Sequence, residues 1–96
     1  MPDFRVLASE TNIITIPAFE IMRLTHLVDD NEYSVQNISN NYVTIYRGTT
    51  EPASTKALGN IMAPHETWSF TKVTGVDWFF WSDVHTTEIA VNQVTA

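Results

Sequence analysis

Residues 76–82 read Val76-Asp77-Trp78-Phe79-Phe80-Trp81-Ser82. The run is short, aromatic and bounded by turn signals, Thr74-Gly75 before it and Asp83-Val84-His85 after it, so it reads as a β-strand. Side chains alternate across a strand. Val76, Trp78 and Phe80 therefore share one face, which belongs to a core. Asp77, Phe79 and Trp81 share the other. Two large rings do not suit a plain solvent face, since each carries about 150–250 Å² that prefers to be covered. Three coverings stay open: burial of a central strand on both sides, a protein–protein contact, or a sugar ring stacked on the aromatic faces.

Working outward, the same grammar repeats at intervals of about ten residues. The strands expected are Phe4–Leu7, Asn12–Ile16, Phe19–Thr25, Tyr33–Ile38, Tyr42–Tyr46, Leu58–Met62, Thr67–Lys72, Val76–Ser82 and Glu88–Val94. The breaks have physical causes. Pro17 lacks a backbone donor. Asp29-Asp30-Asn31 bonds to its own backbone and turns the chain. Ser39-Asn40-Asn41 reads as a hairpin connection. Ala63-Pro64-His65-Glu66 offers a proline whose φ suits a type I or II turn. Thr74-Gly75 and Asp83-Val84-His85 are read as closing the last two hairpins. Ile21–Val28 fits helix or strand by periodicity, and its β-rich surroundings favour strand.

Two strands name their inward sides. Ile89 and Val91 oppose Glu88, Ala90 and Asn92, while Trp68 and Phe70 oppose Thr67, Ser69 and Thr71. Both are read as sheet edges over one core. Eight or nine short strands with no crossover helix predict an all-β, antiparallel β-sandwich, jelly-roll or Ig-like, in one domain over 1–96. The first eleven residues are either a docked strand or an N-terminal arm reaching a neighbour.

Composition narrows the function. Ninety-six residues leave a modest core, burying about 60–65% of the unfolded surface. There is no cysteine, so neither disulfides nor thiolate metal sites are available. Eleven acids face five bases, a net charge of −6, which repels a phosphate backbone; no nucleic-acid partner is expected. The N-terminus shows no basic, then apolar leader, and no run approaches the ~18 apolar residues of a membrane helix. No membrane partner is expected, and assembly in a cytoplasm is. Asn37-Ile38-Ser39 matches the glycosylation acceptor pattern and is read as chance.

The usual chemistry is not legible. His26, His65 and His85 lie in separate segments. Asp83-x-His85 lacks the further ligands zinc requires. Asp29-Asp30-Asn31-Glu32 lacks the glycine and spacing of a calcium loop. There is no nucleophile elbow or phosphate-cradling loop. The expectation is a non-enzymatic chain without cofactor or metal.

One resemblance adds to this reading. It rests on Val35-Gln36-Asn37-Ile38-Ser39, Tyr46-Arg47-Gly48, the Met62-Ala63-Pro64-His65-Glu66 turn, Trp78-Phe79-Phe80-Trp81-Ser82, and Ile89-Ala90-Val91. Together these resemble the small β-sandwich virion accessory proteins of tailed bacteriophages, the capsid decoration type among them; His65 departs from the usual turn glycine. The resemblance covers about two thirds of the chain and carries no catalytic residues. It implies a structural protein on the head surface of a virion, forming a dimer or trimer and binding the major capsid protein. Phe79 and Trp81 are the expected anchors and Phe4, Val6 and Leu7 the expected strap. The rival readings are a receptor- or carbohydrate-binding module of a tail spike or fibre, with a glycan as partner, and a tail or neck connector.

Overall fold

A computed structural model of the chain describes residues 3–7, 10–50 and 60–94. The strands are β1 (Asp3–Arg5), β2 (Asn12–Ile16), β3 (Ile21–Thr25), β4 (Glu32–Asn37), β5 (Val43–Gly48), β6 (Asn60–Met62), β7 (Thr67–Thr71), β8 (Asp77–Trp81) and β9 (Thr87–Gln93). No helix occurs among the described residues, so none is long and apolar enough to cross a membrane. Leu58 and Gly59, expected in the sixth strand, lie outside the described residues.

The strands form two sheets, ordered β1-β3-β8-β5-β6 and β2-β9-β4-β7. Their pairing follows a simple rule: β2 pairs with β9, β3 with β8, β4 with β7 and β5 with β6, all antiparallel. The chain is thus one long antiparallel ribbon. Rolling it up brings β9 against β4 and β8 against β5. This is the eight-stranded jelly-roll arrangement of a β-sandwich, with β1 added along the free edge of β3.

The rolled topology corrects several expectations. Only β5 and β6 are consecutive and paired; every other link carries the chain from one sheet to the other. Ser39-Asn40-Asn41, Thr74-Gly75 and the 83–85 segment therefore close arches between sheets, not hairpins. Turn residues dictate that the chain reverses, not which sheet receives the next strand. Of the two strands read as edges, β7 is one, while β9 is central, between β2 and β4. β1 runs parallel to β3, an exception to the antiparallel rule. The intervening β2 lies in the opposite sheet, so the chain returns to the first sheet in its original direction.

Burial alternates as pairing demands. Ile14, Ile16, Val35, Ile89 and Val91 from one sheet meet Met22, Leu24, Val43, Ile45, Met62 and Phe80 from the other. Burying each such side chain contributes roughly 1.5–3 kcal/mol.

Four connections share one solution. The turns 17–20, 28–31, 63–66 and 73–76 are each closed by a backbone bond from the fourth amide to the first carbonyl. In each, the third residue has positive φ: Phe19 63°, Asp30 67°, His65 67° and Gly75 81°. That is the type II pattern, in which glycine or asparagine normally takes the third place. Only Gly75 adopts it without a Cβ penalty.

Asn37 ties two arches together. Its side chain is fully buried, donates to the Asn41 carbonyl at 2.7 Å and the Met62 carbonyl at 3.3 Å, and accepts from the Ser39 amide at 3.0 Å. This amide is committed to its own fold, which places the apparent glycosylation acceptor in the interior. Asn37→Ala should cost about 2–4 kcal/mol, because several buried partners lose their bonds at once. Asn40→Ala, on the exposed tip of the same arch, should stay within about 0.5 kcal/mol. Urea unfolding of the two variants measures the contrast.

Candidate adhesive face

β8 sits at the centre of the five-stranded sheet, so its outward residues have neighbours on both sides. Two rows cross that outer face. In the first, Arg23, Phe79 and Tyr46 stand in register across β3, β8 and β5. In the second, Ile21, Trp81, Thr44 and Ile61 stand in register across β3, β8, β5 and β6.

The first row is closed. Phe79 is only 2% exposed although it faces away from the second sheet. The Tyr46 ring packs against it with centroids 5.9 Å apart and planes inclined at 42°. Tyr46 also lies across Gly48, two residues on along β5. A Cβ there would fall 2.6 Å from the Tyr46 hydroxyl oxygen. On the other flank Arg23 is held by Asp3 through a two-pronged pair, Nε to Oδ1 at 3.2 Å and Nη2 to Oδ2 at 2.9 Å. Phe79 is thus a floor, covered by its own chain, and presents no surface as it stands.

The second row is open. Trp81 and Ile21 are half-buried, while Ile61 is 64% exposed. Tyr42 and Phe19 extend the apolar surface to the adjoining end of the sandwich, at 63% and 67% exposed. Phe19 is fastened beside the end of β8, its amide donating to the carbonyls of Ser82 and Asp83 at 3.1 and 3.0 Å. Val84, on the connection from β8 to β9, is 61% exposed at the same end. Exposed apolar side chains are ordinary when scattered, and informative when contiguous.

Phe19 carries the further signal of strain. A bulky residue with φ of 63° is uncommon, and the left-handed region costs an L-residue roughly 1–2 kcal/mol. The turn holds an aromatic ring out into solvent where glycine would be more comfortable. Sequence reading placed Phe19 at the start of a strand and gave it no role. The available clue was Pro17-Ala18-Phe19-Glu20, a turn with a large apolar residue in its third place.

The expected strap is docked on its own subunit. β1 pairs with β3, and the Val6 amide donates to the Thr25 carbonyl at 3.0 Å. Val6 is 4% exposed within the core and Phe4 packs against that core. Leu7 is 43% exposed, its amide donating to Asn12 Oδ1 at 2.9 Å. Of the three, Leu7 has the side chain most open to a neighbour.

The polar groups weighed for metal chemistry have local partners. The His85 amide donates to Asp83 Oδ1 at 3.3 Å, closing a turn, and Ser82 Oγ donates to the His85 carbonyl. Asp29 accepts from Thr74 Oγ1 at 2.8 Å and pairs with Lys72 at 3.6 Å, joining two loops. Among the described residues no three His, Asp or Glu side chains gather as a metal-binding group.

Comparison of the chain with protein-family models, with curated proteins and with solved structures finds no match. The face is therefore read from its own geometry.

Gly48 tests that geometry. Gly48→Ala drives a methyl group into Tyr46, so the ring must swing away and uncover Phe79. The variant should fold with a loss of about 1–2 kcal/mol and bind more of a hydrophobic dye than the parent. Unchanged stability and dye binding would show that Tyr46 does not seal Phe79.

Proposed function

We propose that this chain is a non-catalytic structural protein of a tailed-phage particle, of the capsid decoration type. In this reading it self-associates as a dimer or trimer and docks on the major capsid protein, and the outer face of the five-stranded sheet is its adhesive surface. The observation that carries the adhesive role is Phe19, two-thirds exposed in a strained turn at the end of β8, next to the row that runs Ile21, Trp81, Thr44 and Ile61 across the sheet. A compact domain gains nothing from holding that ring outward at a conformational cost. A partner that covers it repays the strain, and strain concentrated at working surfaces is a recurring pattern. The phage setting is supported by the sequence resemblance alone.

Physically, such a protein works by added area. A standard contact buries about 800 Å² on each partner, a modest share of the 5367 Å² surface. Aromatic anchors at the centre of a contact carry most of its energy. Repeated over a shell, such contacts resist outward pressure without chemistry.

Two substitutions separate adhesion from folding. Phe19→Gly removes the ring and relieves the backbone, so the monomer should gain about 0.5–1 kcal/mol while association is lost. Trp81→Ser should weaken association by about 2 kcal/mol or more. Size-exclusion chromatography with light scattering reads self-association, and co-sedimentation with expanded empty phage heads reads docking. A parent chain that stays monomeric at high micromolar concentration and ignores the heads would end the proposal. So would a Phe19→Gly variant that assembles as the parent does.

A further inference from the structure

On the inner side of the same sheet, away from the adhesive face, the two sheets part along the seam between β6 and β7. The opening there is a cleft of about 550 Å³, lined by Ile45, Tyr46, Arg47, Asn60, Trp68 and Trp78. That size falls within the range of small-ligand sites, which pair aromatic walls with a few polar groups.

Its back wall is an aromatic column. Tyr33 stacks on Phe70 with centroids 5.7 Å apart, and Phe70 on Trp78 at 4.0 Å with planes 28° apart. The Arg47 guanidinium caps the column, 5.9 Å from the Trp78 ring centroid. Trp78 is thus engaged by Phe70 and Arg47, and Trp68, half-buried, is the second indole lining the cleft. Arg47 is exposed and has no carboxylate partner among the described residues. Among the described residues no carboxylate lines the cleft, in a chain with eleven acids against five bases. The buried Trp78 Nε1 also lacks an acceptor among the described residues, a deficit native interiors seldom leave.

We propose that this cleft is a binding site for a carboxylate-bearing sugar, a uronic-acid unit of an acidic saccharide. The C–H face of the sugar ring lies on Trp68. Its carboxylate pairs with Arg47, whose planar fork matches the two oxygens, and the Asn60 amide meets a ring hydroxyl. Arg47 sits only loosely over Trp78, so it swings to the carboxylate at little cost. The chain's net charge of −6 opposes this anion as it does a phosphate backbone, and the opposition is smaller for the few carboxylates of a short saccharide, since the field is screened within about 8 Å at physiological salt.

Isothermal titration calorimetry of the full chain with a short oligogalacturonate tests this. The expected result is saturable binding, weakened at least tenfold when the oligomer is methyl-esterified, which keeps the rings and removes the charge. Arg47→Gln and Asn60→Asp, both at exposed positions, should each weaken binding tenfold or more with an unchanged circular dichroism spectrum. Trp68→Leu should do the same. No heat at millimolar oligogalacturonate overturns the site. Equal binding of the esterified oligomer overturns the role of the carboxylate. Benzoate binding as tightly as the oligomer overturns the sugar. Folded Arg47→Gln and Asn60→Asp variants that bind like the parent place any binding elsewhere and overturn the assignment.

Discussion

β8 pairs with β3 along one edge and with β5 along the other, and this double pairing holds the five-stranded sheet together. Its alternation then sorts four consecutive aromatic residues. Phe80 goes to the centre of the core and Trp78 to the aromatic column at the cleft. Phe79 goes to a sealed outer floor and Trp81 to the open row beside it. A slip of one residue would exchange the two faces and expose Phe80. Both proposed surfaces therefore depend on one register.

That register is held from a distance. β8 and β3 are more than fifty residues apart in the chain, and β9 and β2 more than seventy. Closing such pairs costs chain entropy before any burial compensates, so a fold of this kind forms slowly. The side-chain bonds that fasten the arches oppose this cost locally. Asn37 secures the arch from β4 to β5, and the Asp29–Lys72–Thr74 group joins two loops at the opposite end. The strained third residues of the turns show where local comfort yields to the demands of the ribbon.

The two candidate surfaces differ in kind. The outer face carries an open row with Ile21, Trp81 and Ile61 and the exposed Phe19 at its end, which suits a protein surface. The seam is concave, with an indole, an amide and a guanidinium, which suits a small polar ligand. They lie on opposite sides of one sheet and share Tyr46, which lines the cleft and also covers Phe79.

Local alternation and turn chemistry settled a good deal from the sequence alone. The inward sides of Thr67–Thr71 and Thr87–Gln93, the bounds of Asn12–Ile16, and the two-faced aromatic character of residues 76–82 were all legible. Each depends only on the period of two and on neighbouring turn residues. The route of the chain between sheets was not legible, because a turn constrains a few dihedral angles and says nothing about which distant strand waits beyond it. The parallel placement of β1 and the covering of Phe79 depended on partners far along the chain. So did the exposure of Phe19 and the meeting of Arg47, Trp68 and Trp78 in one cleft. Sequence determined how apolar residues alternate within a strand; tertiary structure decided which apolar sides were covered, because covering requires residues that only folding brings near.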